Sequence, residues 1–167
     1  MKALLKSFVY AGKGIISCIR CERNMRIHFV CMVYMYCFLG LYDFFQVSRT
    51  QFAILFVANA IVMMGELINT SIESAVNLVE QKHNENYNKI AELAKDTAAG
   101  AVLIGAIFAV AVGIAILWQP VAFKAMFQYY KENIFMFVAL VISIIISTIF
   151  IFAGPDKMLG INKKKQG

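Results

Sequence analysis

The chain has 167 residues, 60% of them hydrophobic, and a mean hydropathy of +0.69. Soluble domains run nearer about 45–50% apolar, so an ordinary soluble domain is excluded and one small integral membrane domain fits the length. The net charge of +6 does not point to nucleic acid, because the basic residues cluster beside apolar segments, where they orient helices and meet anionic lipid.

Residues 2–20 read as an amphipathic helix. Leu4, Leu5, Phe8, Val9, Ile15, Ile16 and Ile19 line one face, and Lys2, Lys6, Lys13 and Arg20 line another. Such a helix is expected to lie in the membrane surface with its lysines toward lipid phosphates. Lys6 and Lys13 also break the apolar stretch that a signal peptide requires. Cys18 and Cys21 form a lone C-x-x-C, a weak signal for metal or redox chemistry. Cys31 and Cys37 sit in an apolar run and read as small core residues. The polar segment Cys21 to His28 follows, where the surface helix must bend into the first span, and Arg23 and Arg26 are expected on the cytoplasmic side. Glu22 is the sole acid in the first forty-two residues. Two readings stay open for it: pairing with an arginine, or facing a nucleotide-bound metal. His28, at the start of an apolar run, reads as an interface residue rather than a ligand.

Span one is expected from about residue 27 to 45, rich in tyrosine and phenylalanine, with Asp43 to Arg49 as a short outer turn. Span two, about 51–79, is lipid-compatible in its first half. Its second half, Gly65 to Asn77, carries Glu66 and Glu73 seven residues apart. They share a helix face, roughly 10 Å apart along the axis. Asn69, Thr70 and Asn77 extend that stripe. A charge inside the membrane costs at least about 2.5 kcal/mol, so a whole polar face with two carboxylates points to a site. The alternative is a helix–helix contact held by hydrogen bonds.

Residues 80–97 read as a polar cytoplasmic loop, with Asp96 or Thr97 capping the next helix and Lys95 placed to meet phosphate as a point charge. Span three is expected over about 98–118, opening on the small residues Ala98 to Ala101 that let helices approach closely. Trp118 and Pro120 mark the outer interface. Residues 119–133 are expected outside, and span four, about 134–153, reads as a plain lipid-facing helix. The tail carries Lys157 and Lys163 to Lys165, which places both termini in the cytoplasm.

No P-loop, kinase catalytic loop or H-E-x-x-H is present, and His28 and His83 make no zinc set. What remains is Glu22, Glu66, Asn69, Glu73, Asn77, Lys95 and Asp96 at one membrane face. Carboxylates there can hold a hard cation with phosphate oxygens, or act as general base on a hydroxyl. Phosphoryl transfer from ATP to a lipid alcohol needs both. An ion- or proton-coupled membrane protein can use the same residues, and a non-catalytic membrane subunit stays a further alternative.

Three segments, Glu22 to His28, Glu66 to Glu73 and Ala94 to Leu103, resemble the prokaryotic diacylglycerol kinase family in order and spacing. The flavour is that of its Gram-positive, undecaprenol kinase-like branch, and the likeness covers about residues 5–118. The resemblance implies an all-α integral membrane fold: a surface helix, a three-span kinase core over residues 1–118, and an added helix and tail over 119–167. It implies a homotrimer in the bacterial cell membrane, with shared sites at the cytoplasmic face, that uses ATP and magnesium. Carried over, Glu66 matches the general base on the lipid hydroxyl, and Glu22 and Glu73 match the carboxylates that bind metal. Asn69, Lys95 and Asp96 match polar residues of the nucleotide site. The lipid alcohol implied is undecaprenol first and diacylglycerol second. Asn77 departs from the family pattern, which has Asp there, and residues 119–167 read as a remnant or anchor without catalysis.

Overall fold

The computed structural model describes residues 2–80 and 85–158. Lys82, His83, Asn84 and the basic run Lys163 to Lys165 lie outside the described residues. The chain is all-helical there: α1 Lys2–Cys21, α2 Arg23–Leu41, α3 Arg49–Glu80, α4 Glu85–Leu117, α5 Pro120–Glu132 and α6 Ile134–Met158. Among the described residues, four helices are long and apolar enough to cross a membrane: Arg23–Leu41, Arg49–Glu80, Lys89–Leu117 and Ile134–Pro155. The protein is an all-α, multi-pass membrane protein.

The four long helices form a row in the order α4, α3, α2, α6. Among the described residues α4 packs along α3 and on no other helix, while α2 touches both α3 and α6. Helix α1 lies against α2, α3 and α6, and α5 packs on α6. Few side chains are fully buried; Met25 and Leu55 are the largest. Most apolar side chains point outward, Phe135 at 88% exposure among them, as suits helices solvated by lipid.

Local chemistry sets the helix limits. Glu22 is the N-cap of α2 with an extended backbone, and its side chain makes no cap hydrogen bond. Ser48 opens α3 with a capping box: its hydroxyl accepts from the Gln51 N–H at 3.2 Å, and the Gln51 side-chain oxygen accepts from the Ser48 N–H at 2.9 Å. At 32 residues, α3 is about 48 Å long against a hydrocarbon core of about 30 Å, so one end must emerge from the bilayer. Pro120 occupies the first turn of α5, where its missing N–H costs nothing.

Several sequence expectations are corrected here. The polar stretch 80–97 is not a loop over most of its length, because α4 is already helical from Glu85. Asp96 and Thr97 therefore cap nothing; they lie inside α4, where the Thr97 hydroxyl donates to the Leu93 carbonyl at 2.7 Å. Helix α2 ends at Leu41, short of the expected 45, and the outer segment 119–133 contains a helix. Span four is more than a plain lipid-facing helix. Tyr34 of α2 meets the hydroxyls of Ser143 and Ser147 on α6 at 2.8 and 3.2 Å.

Candidate active site

The polar half of α3 supplies the centre of the site. Glu66 and Asn69 are both buried, at 2% and 8% exposure, just beyond the apolar half of the same helix. Their burial comes from the helices packed beside α3, namely α1, α2 and α4. Asn69 lies one turn from Glu73, and its amide nitrogen donates to Glu73 Oε1 at 2.9 Å. The amide oxygen of Asn69 is buried without a hydrogen-bond partner. Such an orphan is costly unless a ligand or cation completes it.

The α1–α2 corner supplies the opposite wall. Glu22 sits in the single-residue bend between the helices. Burial holds its carboxyl above the ordinary value, and the nearby charges of Glu73 and Glu66 push the same way. Three carboxylates from two regions of the chain thus face one electrostatic neighbourhood. Arg26 does not neutralise them by direct pairing. Its guanidinium is buried and donates to the carbonyls of Ile19 and Arg20 at 3.1 and 3.0 Å and of Ile151 at 2.9 Å. Cys18 on α1 approaches the Thr70 hydroxyl at 3.2 Å, and that hydroxyl donates to the Glu66 carbonyl at 2.9 Å. Helix α1 is thereby pinned one residue beyond Asn69.

His28 was read from sequence as an interface residue, yet its Nε2 lies 3.5 Å from Glu66 Oε1. Nothing in the local sequence could have paired them, because they stand on different helices. Lys95 is placed differently from Glu22, Asn69 and Glu73. It donates to Glu80 Oε2 at 2.6 Å, bridging α4 to the last residue of α3. Glu80 continues the seven-residue series Glu66, Glu73, Glu80 along α3. That spacing was the available signal for Glu80. Asp96 and Asn77 are exposed.

Residues 9–117 match the family described as prokaryotic diacylglycerol kinase. The chain belongs to that family. It is 38% identical over 117 residues to a diacylglycerol kinase of Synechocystis sp., covering 70% of this chain and 63% of that relative. It is 36% identical over 118 residues to an undecaprenol kinase of Bacillus subtilis, covering 70% of this chain and 89% of the relative. The chain thus spans somewhat under two thirds of the first relative's length. No solved structure matches it.

The matched region includes α2, α3, α4 and most of α1, and so every residue of the α3 stripe and the α1–α2 corner. Among the described residues, no three His, Cys, Asp or Glu side chains gather into a closed metal cage. What the site offers is carboxylates and an orphaned amide oxygen, all hard oxygen donors. That set fits magnesium, which takes one or two carboxylates and completes its shell with water and phosphate oxygens.

Proposed function

We propose that this chain is a lipid kinase that transfers the γ-phosphoryl group of ATP to a membrane lipid alcohol, with undecaprenol as the substrate. The observation that carries the reading is the buried Glu66, set in an apolar helix beside two further carboxylates, in a chain of this family. Undecaprenol is preferred because the match extends over 89% of the undecaprenol kinase's length. Diacylglycerol is the runner-up.

In this reading α1 faces the cytoplasm of a bacterial cell, and the lipid hydroxyl arrives from the bilayer at Glu66. Glu66 takes the hydroxyl proton, and the oxygen attacks in line. Glu22 and Glu73 would hold the metal that accompanies the nucleotide. Bound magnesium supplies neutralisation of charge on the phosphate oxygens. Asn69 fixes Glu73 through its N–H, and its buried carbonyl oxygen is free to accept from or ligate the bound group. Lys95 and Asp96 lie farther out along α4, with Lys95 held by Glu80; nucleotide phosphate would have to draw Lys95 from that carboxylate. Catalysis is mostly positioning and charge neutralisation. The oligomer is a homotrimer with shared sites.

The test is phosphate transfer from labelled ATP in detergent micelles, with undecaprenol and diacylglycerol supplied separately. Labelled undecaprenol supports the full reading, and labelled diacylglycerol alone reverses the substrate. If neither lipid is labelled, the kinase reading fails, and flux assays in sealed vesicles then address an ion-coupled protein. The Glu66→Gln variant is expected to lose about 10²–10⁴-fold in transfer while keeping ATP binding, the usual scale for a general base.

A further inference from the structure

A buried base that accepts a proton must release it before the next turnover. Glu66 has a side chain only 3% exposed, so direct loss to water is poor. The neighbours on its own helix do not solve this. Asn69 is an amide, and its N–H is committed to Glu73. The Thr70 hydroxyl donates to the Glu66 backbone carbonyl. The Cys18 thiol lies against Thr70, and burial raises its pKa above the ordinary value, so it is a poor proton carrier.

His28 is different. Its Nε2 stands 3.5 Å from Glu66 Oε1, and its side chain is 26% exposed, against 3% for Glu66. One ring nitrogen therefore meets the buried carboxylate while the imidazole as a whole is partly exposed, about one and a half turns from the Glu22 bend where the chain enters the span. Imidazole can accept a proton on one nitrogen and give one from the other. Catalytic hydrogen bonds are often long until substrate tightens the site, so 3.5 Å is within reach of a working contact.

We propose that His28 relays to solvent the proton that Glu66 takes from the lipid hydroxyl. The inference rests on the reading of Glu66 as general base. The O–H bond of the alcohol breaks as its oxygen bonds to the γ-phosphorus and the bond from that phosphorus to the leaving nucleotide oxygen breaks. The proton passes to the Glu66 carboxylate, then to His28 Nε2, and the imidazolium loses a proton to water from Nδ1. One proton is released for each phosphoryl group transferred, which balances the reaction. Glu66 returns to its ionised form, and His28 to neutral as the Nε2–H tautomer, which exchanges protons with water to regain the Nδ1–H form before the next turnover. His28 acts through Glu66 and is a positioning and relay residue rather than one that touches substrate.

The test compares the full-length parent with His28→Ala and His28→Gln, purified in detergent, in lipid phosphorylation with magnesium-ATP. His28→Ala is expected to lose about a hundredfold in kcat, the lower end for proton-transfer groups, with KM for magnesium-ATP unchanged. Imidazole added to the buffer is expected to restore part of that kcat in His28→Ala and to leave the parent unaffected. His28→Gln keeps an N–H donor near Glu66 but carries no proton, and it should stay slow. A parental kcat in His28→Ala overturns the relay. So does full activity in His28→Gln, which reduces the contact to orientation, and so does a folded, slow His28→Ala that imidazole does not help. Glu66→Gln separates the two layers of the argument. If it keeps parental transfer, the base assignment fails and the relay falls with it. If it is inactive while His28→Ala is fully active, the relay alone is wrong.

Discussion

Asn69 uses both ends of one amide. Its N–H orients Glu73, and its buried oxygen is left without a partner. Hydrogen bonds to charged groups are worth about 1.5–3 kcal/mol, so Asn69→Leu should weaken magnesium-ATP binding by about tenfold or more, measured as KM or by calorimetry. Asn69→Leu should cost little in fold stability, because it removes the orphaned oxygen together with the useful donor. Glu22 gives a second expectation. Its carboxyl lies above the ordinary value of 4.5, first through burial and then through Glu73 and Glu66. For an acid raised in the folded state, the linked stability is present below the unfolded value and is lost as pH rises through the folded value. The charged form of Glu22 therefore costs stability, and a divalent cation should relieve it. Magnesium should raise the melting temperature at neutral pH and do so less as pH falls and Glu22 gains its proton. An equal rise across that range would separate Glu22 from the metal. Glu66, Asn69 and Glu73 were legible because three- and seven-residue spacings put them on one face of one helix. His28 was not, because its partner lies on another helix, and no periodicity reports a contact across helices.

At the scale of the helix, α6 is the element that sequence described least well. Its uniform apolarity hid the fact that Ser143 and Ser147, one turn apart, face Tyr34 on α2. At its far end Arg26 closes a three-way junction. It draws together the last carbonyls of α1, the first turn of α2 and the Ile151 carbonyl of α6. Gly154 sits against that guanidinium with φ 73 and ψ 158, a region open essentially to glycine alone. A Cβ there would also lie 3.5 Å from Arg26 Cζ. Gly154→Ala should therefore destabilise the junction by about 1–3 kcal/mol, the usual cost of such a backbone conformation. Tyr34→Phe should cost less, about 0.6 kcal/mol for each lost hydroxyl contact within a membrane bundle. Thermal unfolding of both variants in one detergent checks the order. If Gly154→Ala is the milder change, Arg26 does not depend on α6. The junction also bears on the site, because it fixes the bend that holds Glu22. Helix α6 lies beyond the family match, which ends at residue 117, yet it braces a corner within the matched region.

At the scale of the whole molecule, the row of helices is open on the side of α3 and α4. A groove of about 700 Å³ runs between them, floored by Ala53, Ala58, Ala101, Gly105 and Ala109. These small side chains leave the backbones accessible, which is the surface that close helix packing in membranes requires. Exposed Ile54, Val57, Ile104 and Phe108 stand along its walls. In the proposed homotrimer this groove receives a helix of a neighbouring copy. The expectation is specific, because α3 carries the groove on its first half and the Glu66 stripe on its second, so a neighbour seated in the groove packs on the helix that bears the site. Ala101 is exposed in the single chain, so Ala101→Phe should leave the protomer folded and obstruct the neighbour. Light scattering on detergent-solubilised protein should find a trimer for the parent and a smaller species for Ala101→Phe, with helical circular dichroism unchanged. Lipid phosphorylation should fall in step with the loss of trimer, because a shared site cannot be completed by one copy. If Ala101→Phe stays trimeric and active, subunits meet elsewhere and lipid alone fills the groove. If it dissociates and stays active, each copy carries a complete site, and the wall opposite Glu66 comes entirely from its own α1–α2 corner.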